Sequence, residues 1–331
     1  MKRHASISHA VLLLAASLVA ATSLVPSTAT AQSYPSKPVK IIVAFSPGTG
    51  IDILAREAGQ QLSQRLHQPF VVENRPGASG NLGMALLAKA EPDGYTVSVI
   101  VNTFVMNAAL YNNLPFDSVR DFSAVSLMAR GGLALVVNSN VKASNTRELI
   151  ELAKREPGKL NYASPGVGTP QHLVMELLKH SAGLDIVHIP HKGAAEALTA
   201  MLGGQTDVMV MPVHTTLPHV KSGKLRVLAV ASASRNPLMP EAPTIAESAG
   251  IPGFEVDLWF GMLAPAKTPR DVIEKLNAEL RVILADEAMR TKLAAQGLQL
   301  TSSSPEVLAD LIKSDIPKWA KVIRAAGIKP E

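Results

Sequence analysis

Two short segments of the chain combine glycine, proline and hydroxyl residues where a strand is expected to give way to a helix. The first, SPGTG at residues 46–50, follows the apolar run Val39–Phe45 and precedes apolar residues at helical spacing. The first N–H groups of a helix have no acceptor within the helix, and the helix dipole adds partial positive charge there. A carboxylate or a phosphate is the group that suits such a position.

The same arrangement occurs a second time, after an expected strand at Lys159–Ser164. Residues 165–168 (PGVG) read as a loop, Thr169 as a helix N-cap and Pro170 as the first helical residue. Two such segments can grip one ligand from opposite sides.

The side chains near these segments each admit more than one interpretation. Asp52 suits the helix dipole but repels an anion, so local capping is favoured, with ordering of a water or acceptance from a ligand amino or hydroxyl group as the alternative. His172 either packs or donates to a ligand oxygen. Ser164 beside His172 is a conceivable nucleophile, but a hydrogen-bonding role is more common. Met211, at a strand end, is expected to offer the ligand apolar surface, whereas Met209 is expected to fill the core.

Other kinds of chemistry lack their motifs. The nucleotide-binding patterns GxxxxGK[ST] and GxGxxG and the esterase pattern GxSxG are absent. His188 and His191 flank Pro190, but such a pair without a third ligand of defined spacing is a poor metal site. Aromatic residues make up 4% of the chain and no basic block interleaves with them, so nucleic-acid binding is not expected. We therefore expect no catalytic residue, no metal and no cofactor.

The N-terminus has the pattern of a cleaved signal peptide at residues 1–31. Lys2 and Arg3 precede the apolar stretch Ala10–Ala21, and Ala29 and Ala31 form a small-residue cleavage site. The mature chain is expected to begin at Gln32. Removal of the signal peptide takes Lys2 and Arg3 with it and lowers the formal net charge from +5 to +3. This slight positive charge favours anionic small molecules. With no cysteine for lipid attachment or disulfides, a soluble periplasmic protein is expected.

Strands alternate with helices along the chain, which is typical of an α/β protein. One series starts at Val39, and a second series starts at Leu133 with strands near residues 160, 186, 208 and 227. We expect lobe 1 at residues 32–131, lobe 2 at 132–256, and a return to lobe 1 at 257–331. Crossover segments are expected near residues 128–137 and 254–263, and a cleft between the lobes is the expected ligand site.

Taken together, the motifs resemble those of the Bug family of periplasmic solute receptors, the binding components of tripartite tricarboxylate transporters. The resemblance covers nearly the whole mature chain and is carried by YPSKPVKIIVAFSPGTGIDILAR, VVENRPGASGNLG, AEPDGYT, NYASPGVGTPQHL, HIPHKGAAEAL, GGQTDVMV, GKLRVLAV and RNPLMPEAPTIAESAGIPGFEVDLWFGMLAPAKTP. It implies a two-lobed, type II-like periplasmic-binding-protein fold. The implied protein closes on a small mono- or dicarboxylate and delivers it, as a monomer, to the membrane permease subunits of a transporter.

The resemblance also implies a set of ligand-binding positions on the two segments and after the third strand. These are Ser46, Gly48, Thr49, Asp52, Asn102, Thr103, Ser164, Gly166, Gly168 and Thr169, to which His172 and Met211 are added from the residues themselves. Three positions depart from the family pattern: Thr49 replaces a glycine, His191 a tyrosine and Met211 an aspartate. Two other functions stay open, a sensory adaptor for a histidine kinase and a hydrolase that uses Ser164 and His172.

Overall fold

The structure is a computed structural model that describes residues 34–325 and 327–329. The chain divides into a unit that ends at Ser36 and a compact unit that begins at Lys37, to which the elements below belong. The predicted signal peptide, residues 1–31, and Gln32 lie outside the described residues. Within the described part, no helix has both the length and the apolar character needed to cross a membrane.

The first sheet is mixed. Its strands are Val39–Val43 (β1), Phe70–Asn74 (β2), Thr96–Val101 (β3), Phe122–Gly131 (β4), Leu258–Pro265 (β10) and Leu298–Leu300 (β11). Their spatial order is β11-β4-β10-β3-β1-β2. β1 pairs in parallel with β2 and β3, whereas β10 runs antiparallel to β3 and β4.

The second sheet is also mixed. Its strands are Leu133–Asn138 (β5), Asn161–Ser164 (β6), Val187–Pro190 (β7), Val208–Pro212 (β8) and Leu225–Val230 (β9), in the order β7-β6-β8-β5-β9. β6 pairs in parallel with β7 and β8, and β5 is antiparallel to β8 and β9. The expected strands of both series are therefore present.

Helices cover the sheets. They are Gly50–Leu66 (α1), Asn81–Ala88 (α2), Thr103–Leu110 (α3), Thr146–Arg155 (α4), Pro170–Ala182 (α5), Ala194–Leu202 (α6), Val213–Lys221 (α7), Ile245–Ala249 (α8), Arg270–Leu284 (α9), Glu287–Ala294 (α10) and Pro305–Ala325 (α11). In α1 the apolar residues at helical spacing, Ile51, Leu54, Ala58 and Leu62, are buried against the first sheet. The last helix, α11, packs on α3 and β4.

The chain passes between the sheets twice, through a very short connection after β4 and through residues 231–257 after β9. β4 ends at Gly131 and β5 begins at Leu133, so the segment expected as a crossover consists of two strands with Gly132 between them. A Cβ at Gly132 would lie 2.4 Å from Nδ2 of Asn236, which explains the need for glycine there. The expectation from sequence also omitted β4, β11, α3, α8 and α10.

Candidate functional site

Two loops stand at the carboxyl ends of parallel strands, one in each sheet. Loop 1 (residues 46–49) leads from β1 to α1, and loop 2 (residues 165–169) leads from β6 to α5. In open α/β sheets, ligands bind outside the carboxyl ends of the strands. The two predicted segments therefore occupy the position in the fold where a ligand is expected.

The two loops have the same backbone conformation where each helix begins. The N-cap residues Thr49 and Thr169 have φ and ψ angles of −78° and 158° and of −72° and 153°. The Thr49 hydroxyl donates to the carbonyl oxygen of Ser46 at 2.8 Å, and the Thr169 hydroxyl donates to that of Gly166 at 2.7 Å. The predicted N-cap at Thr169 is confirmed. Its hydroxyl, however, bonds to the loop carbonyl and makes no hydrogen bond to the N–H groups of the helix.

The glycine before each N-cap also plays the same part in both loops. Gly48 and Gly168 have φ angles of +79° and +77°, which favour glycine. The Gly48 N–H donates to Oδ2 of Asp52 at 2.9 Å, and the Gly168 N–H donates to Nδ1 of His172 at 3.2 Å. The third residue of each helix therefore captures the N–H group of the glycine that precedes the N-cap.

Asp52 is buried, with 3% of its surface exposed, and its carboxylate has several donors. Arg56 Nε lies 3.0 Å from Oδ2 and Nδ2 of Asn74 lies 2.8 Å from Oδ1. Burial alone raises the pKa of Asp52, but the hydrogen bonds from Arg56, Gly48 and Asn74 together outweigh it and hold the pKa below its ordinary value. Both oxygens are occupied, which favours local capping over ligand contact.

His172 performs the equivalent role in loop 2 without a charge. It is 4% exposed, and its ring stacks on His188 with centroids 4.3 Å apart. Burial, with a smaller contribution from the positive charge of Lys179, lowers the pKa of His172 to about 4. The imidazole is therefore neutral near pH 7, and Nδ1 accepts the Gly168 N–H, so this nitrogen is not available to donate to a ligand.

Ser164 pairs with His188 rather than with His172. Its Oγ lies 2.7 Å from Nε2 of His188, and it also accepts the Gly166 N–H at 3.2 Å. The alternative in which Ser164 is paired with His172 is not what the structure shows, because the neighbouring strand β7 brings His188 to Ser164. Burial first, and then the positive charge that His172 can carry, lower the pKa of His188 to about 3. Ser164 is fully buried and serves as a hydrogen-bonding residue under loop 2.

Asn102 and Thr103 follow β3, at the same edge of the first sheet as loop 1. Both are buried, and Nδ2 of Asn102 donates to the carbonyl oxygen of Asp257 at 2.9 Å. Asn102 is thereby tied to the segment that returns the chain to the first sheet before β10.

Met211 lies in the apolar core of the second lobe. It is 2% exposed and packs in the same cluster as Met209, Ala134 and Val213. Residues two apart on a strand point to the same face, so Met211 shares the core face with Met209. This position favours a packing role over the expected contact with ligand.

The sequence reasoning missed a cleft-side segment at residues 77–80 (GASG), between β2 and α2. The hydroxyl of Ser79 donates to the carbonyl oxygen of Val167 in loop 2 at 2.9 Å, which joins the two lobes. A cavity of about 10 Å³, room for about one water, lies beside it and is lined by Phe45, Ile51, Ser79, Asn81, Thr103 and Asn107, among others. The paired glycines of the segment were the signal that could have marked it.

A larger groove lies elsewhere. It has a volume of about 700 Å³ and runs along β9 of the second sheet, beside Leu238 and Pro240. None of the predicted site residues lines it. Loop 2 contacts the first lobe directly through Ser79, so the region between the lobes, rather than this groove, is the candidate site.

Two α/β lobes joined by two crossings of the chain, with matching strand–loop–helix junctions, define the class of two-lobed periplasmic binding proteins. A family model described as "Tripartite tricarboxylate transporter family receptor" matches residues 54–328. The chain belongs to this family, whose members are solute-binding receptors and not enzymes.

Known proteins of this kind align with nearly the whole chain. Protein BugT of Bordetella pertussis is 33% identical over 320 residues, which cover 96% of this chain and 98% of BugT. The structure of R. palustris Rpa4515 with adipate superimposes with a TM-score of 0.85 at 32% identity, over 90% of this chain and 100% of that one. MatC from Rhodopseudomonas palustris with bound malate gives a TM-score of 0.81 at 30% identity, over 88% and 100% of the two chains. The predicted resemblance to the Bug family and the predicted fold class are confirmed.

Proposed function

We propose that this protein is a periplasmic receptor that binds a small mono- or dicarboxylate between loop 1 and loop 2. The observation that carries the proposal is the matched pair of loops, each of which leads from the carboxyl end of a strand to the N-terminus of a helix, one in each lobe. Adipate and malate, the ligands of two structural relatives, are both small dicarboxylates.

The proposed contacts lie on the loops and at the start of α3. Gly48 and Gly168 give their own N–H groups to side chains, the Thr169 N–H donates to the Gly166 carbonyl oxygen, and Pro170 has no N–H. The proposed donors for a carboxylate therefore begin at Gly50 in α1 and at Gln171 in α5. The proposed ligand-binding residues are Ser46, Gly48, Thr49, Asn102, Thr103, Ser164, Gly166, Gly168 and Thr169. In this proposal Asp52 and His172 act by shaping the loops.

The proposed mechanism is closure of the two lobes around the ligand. One lobe comprises residues 32–131 and 257–331, and the other comprises residues 132–256. They rotate about the two connections between the sheets, at Gly132 and at residues 231–257 between β9 and β10. Contacts that exist only in the closed state shift the population towards it when ligand binds. Micromolar affinity corresponds to about −8 kcal/mol, which two carboxylate grips in a water-excluding cleft can supply.

The proposed partner is the membrane permease of a tripartite transporter, to which the closed monomeric receptor delivers its ligand. Family membership supports a role in transport. Removal of residues 1–31 on export is part of the proposal, and the N-terminal sequence of the secreted protein should begin at Gln32.

The test is a thermal-shift panel on the secreted protein with adipate, malate, monocarboxylates, sugars and polyamines. A ligand at one hundred times its Kd stabilises the folded state by about 2.7 kcal/mol, and each kcal/mol raises the Tm of lobes of this size by about 2–4 °C. A carboxylate should therefore raise the Tm by several degrees. Consistent shifts with sugars or polyamines and none with any carboxylate would contradict the proposal.

A further inference from the structure

Residues 77–80 form a left-handed segment on the cleft side of the first lobe. Their φ angles are +136°, +47°, +52° and +92°, and two of the four, Ala78 and Ser79, are not glycine. Non-glycine residues avoid this region because Cβ approaches the carbonyl oxygen. Such residues persist only where surrounding contacts hold them, and they concentrate at binding sites and switch segments.

The contacts that hold this segment come from within the first lobe. Nδ2 of Asn107, on α3, donates to the carbonyl oxygen of Ser79 and to Oδ1 of Asn81, both at 2.8 Å. Gly80 packs against the ring of Phe45, where a Cβ would approach to 3.2 Å. The backbone of Ser79 is therefore fixed before the second lobe is involved.

The side chain of Ser79 reaches the other lobe. Its hydroxyl donates to the carbonyl oxygen of Val167, the residue between the two glycines of loop 2, at 2.9 Å. Next to this bond, Gly168 packs directly on α3: a Cβ there would lie 2.8 Å from Cδ2 of Leu110 and 3.2 Å from Oδ1 of Asn107. Loop 2 thus rests on α3 and is tied by Ser79.

We propose that Ser79 is a positioning residue that latches loop 2 to the first lobe when the receptor closes. This proposal rests on the proposed closure around a carboxylate. Ser79 acts through the Val167 carbonyl, which holds loop 2 in place over the cleft, and it makes no contact with the ligand. Its effect is therefore on how long the closed state lasts, and so on the rate of ligand release.

The experiment measures the distance between the lobes by double electron–electron resonance between two spin labels. The chain has no cysteine, so cysteines introduced at the exposed positions Lys89 and Ala195 take spin labels selectively. Distances are recorded without ligand, with malate and with adipate, for the wild type and for Ser79→Ala. We expect the variant to lose part of the short-distance population and to release the bound dicarboxylate about 2- to 10-fold faster, as removal of one neutral hydrogen bond implies.

Two further variants separate the hydroxyl from other effects. Ser79→Gly also lacks the hydroxyl but relieves the backbone, so it should match Ser79→Ala in closure and release. Ser314→Ala removes a local hydroxyl bond to the Leu311 carbonyl on α11 and should leave closure unchanged. Melting without ligand shows whether each variant is folded.

The outcomes distinguish the latch from the proposed function. If the wild type closes and Ser79→Ala closes to the same extent and releases ligand at the same rate as the wild type, the latch is wrong. The proposed receptor function would be unaffected by that result. Loss of closure in Ser79→Ala but not in Ser79→Gly would also overturn it, since backbone strain would then be the cause. A wild type that stays open in all three solutions would overturn closure itself, and the latch with it.

Discussion

Loop 1 and loop 2 have the same backbone conformation, but the side chains that stabilise it differ in charge. In each, the N–H of a glycine with positive φ is captured by the third residue of the following helix. In loop 1 that residue is Asp52, an ionised carboxylate paired with Arg56, and in loop 2 it is His172, a neutral imidazole. The capture requires only an acceptor, so the acceptor's charge is free to vary between the lobes.

This difference makes the loops unequal as anion sites. A negative charge in the first turn of α1 opposes an anionic ligand at that helix N-terminus, although Arg56 offsets part of it. Loop 2 carries no such charge. We infer that the ligand carboxylate binds more tightly at loop 2, and that loop 1 holds the other end of the ligand.

The largest effect should come from a matched pair of substitutions at the two glycines, Gly168→Asn and Gly48→Asn. Asparagine tolerates positive φ better than most residues, so the pair isolates crowding. A Cβ at Gly168 meets Leu110 and Asn107 of the first lobe, whereas a Cβ at Gly48 has nothing within 4 Å. Overpacking of about 1–3 kcal/mol predicts a loss of malate or adipate affinity of about 5- to 150-fold for Gly168→Asn, and a change within about 3-fold for Gly48→Asn.

Titration calorimetry on folded variants measures both affinities. Equal losses at the two positions would mean that contact between the lobes does not set the requirement for glycine in loop 2.

A second prediction uses pH to separate the two acceptors. Because the pKa of His172 is about 4 in the folded chain and about 6.5 when unfolded, the unfolded chain binds more protons between these values. The free energy of unfolding should therefore fall as the pH drops from 6.5 to 4, by about 3 kcal/mol from His172. His188, which stacks on it, should add in the same direction. Asp52, whose pKa is lowered, should contribute a loss only below about pH 4.

Urea unfolding at a series of pH values tests this assignment. His172→Asn keeps an acceptor near the position of Nδ1 but cannot be protonated, so its stability should change less between pH 6.5 and 4. An unchanged slope in this variant would assign the effect to other groups, first of all His188, which stacks on His172.

A third prediction removes the charge from loop 1. Asp52→Asn retains one acceptor oxygen but loses the ion pair with Arg56, which is half exposed, so unfolding should become easier by about 1–2 kcal/mol. Affinity for malate should rise, most clearly at low salt, because a like charge has been removed. Calorimetry at two salt concentrations measures it. Unchanged affinity at both would show that Arg56 already compensates the carboxylate.

The smallest effects should be those of Thr49→Ala and Thr169→Ala. Each loses a hydroxyl bond of nearly the same length, 2.8 or 2.7 Å, so each should lower the free energy of unfolding by about 0.5–1.5 kcal/mol. Denaturant unfolding of both variants compares them directly. A clear difference between the two would show that the loops are less alike energetically than geometrically.

Features determined by neighbouring residues were predictable from the sequence. The strand–glycine–helix junctions and the N-cap at Thr169 depend on local spacing, and the structure contains them. The capture of the glycine N–H groups by Asp52 and His172 is also local, at four residues' separation. Local capping was the favoured interpretation of Asp52, but the sequence did not identify the glycine N–H groups as the partners of these two side chains.

Features that depend on packing between distant segments were not predictable. Ser164 pairs with His188 because β6 and β7 are neighbours, which no local pattern shows. Met211 faces the core because of how β8 lies between β5 and β6. Ser79 meets Val167 only when both lobes are assembled, so its role could not be read from the sequence around it.

The strand order also has a consequence for the order in which the protein folds. β3 and β4 do not pair with each other, because β10, which starts at Leu258, fills the place between them. The strands of the second sheet, by contrast, come from one uninterrupted stretch of chain. Because synthesis proceeds from the N-terminus, the second lobe can form as soon as β9 has been made, whereas the first sheet stays incomplete until β10 and β11 have been made. The first sheet can therefore be completed only after the whole of the second lobe has been synthesised.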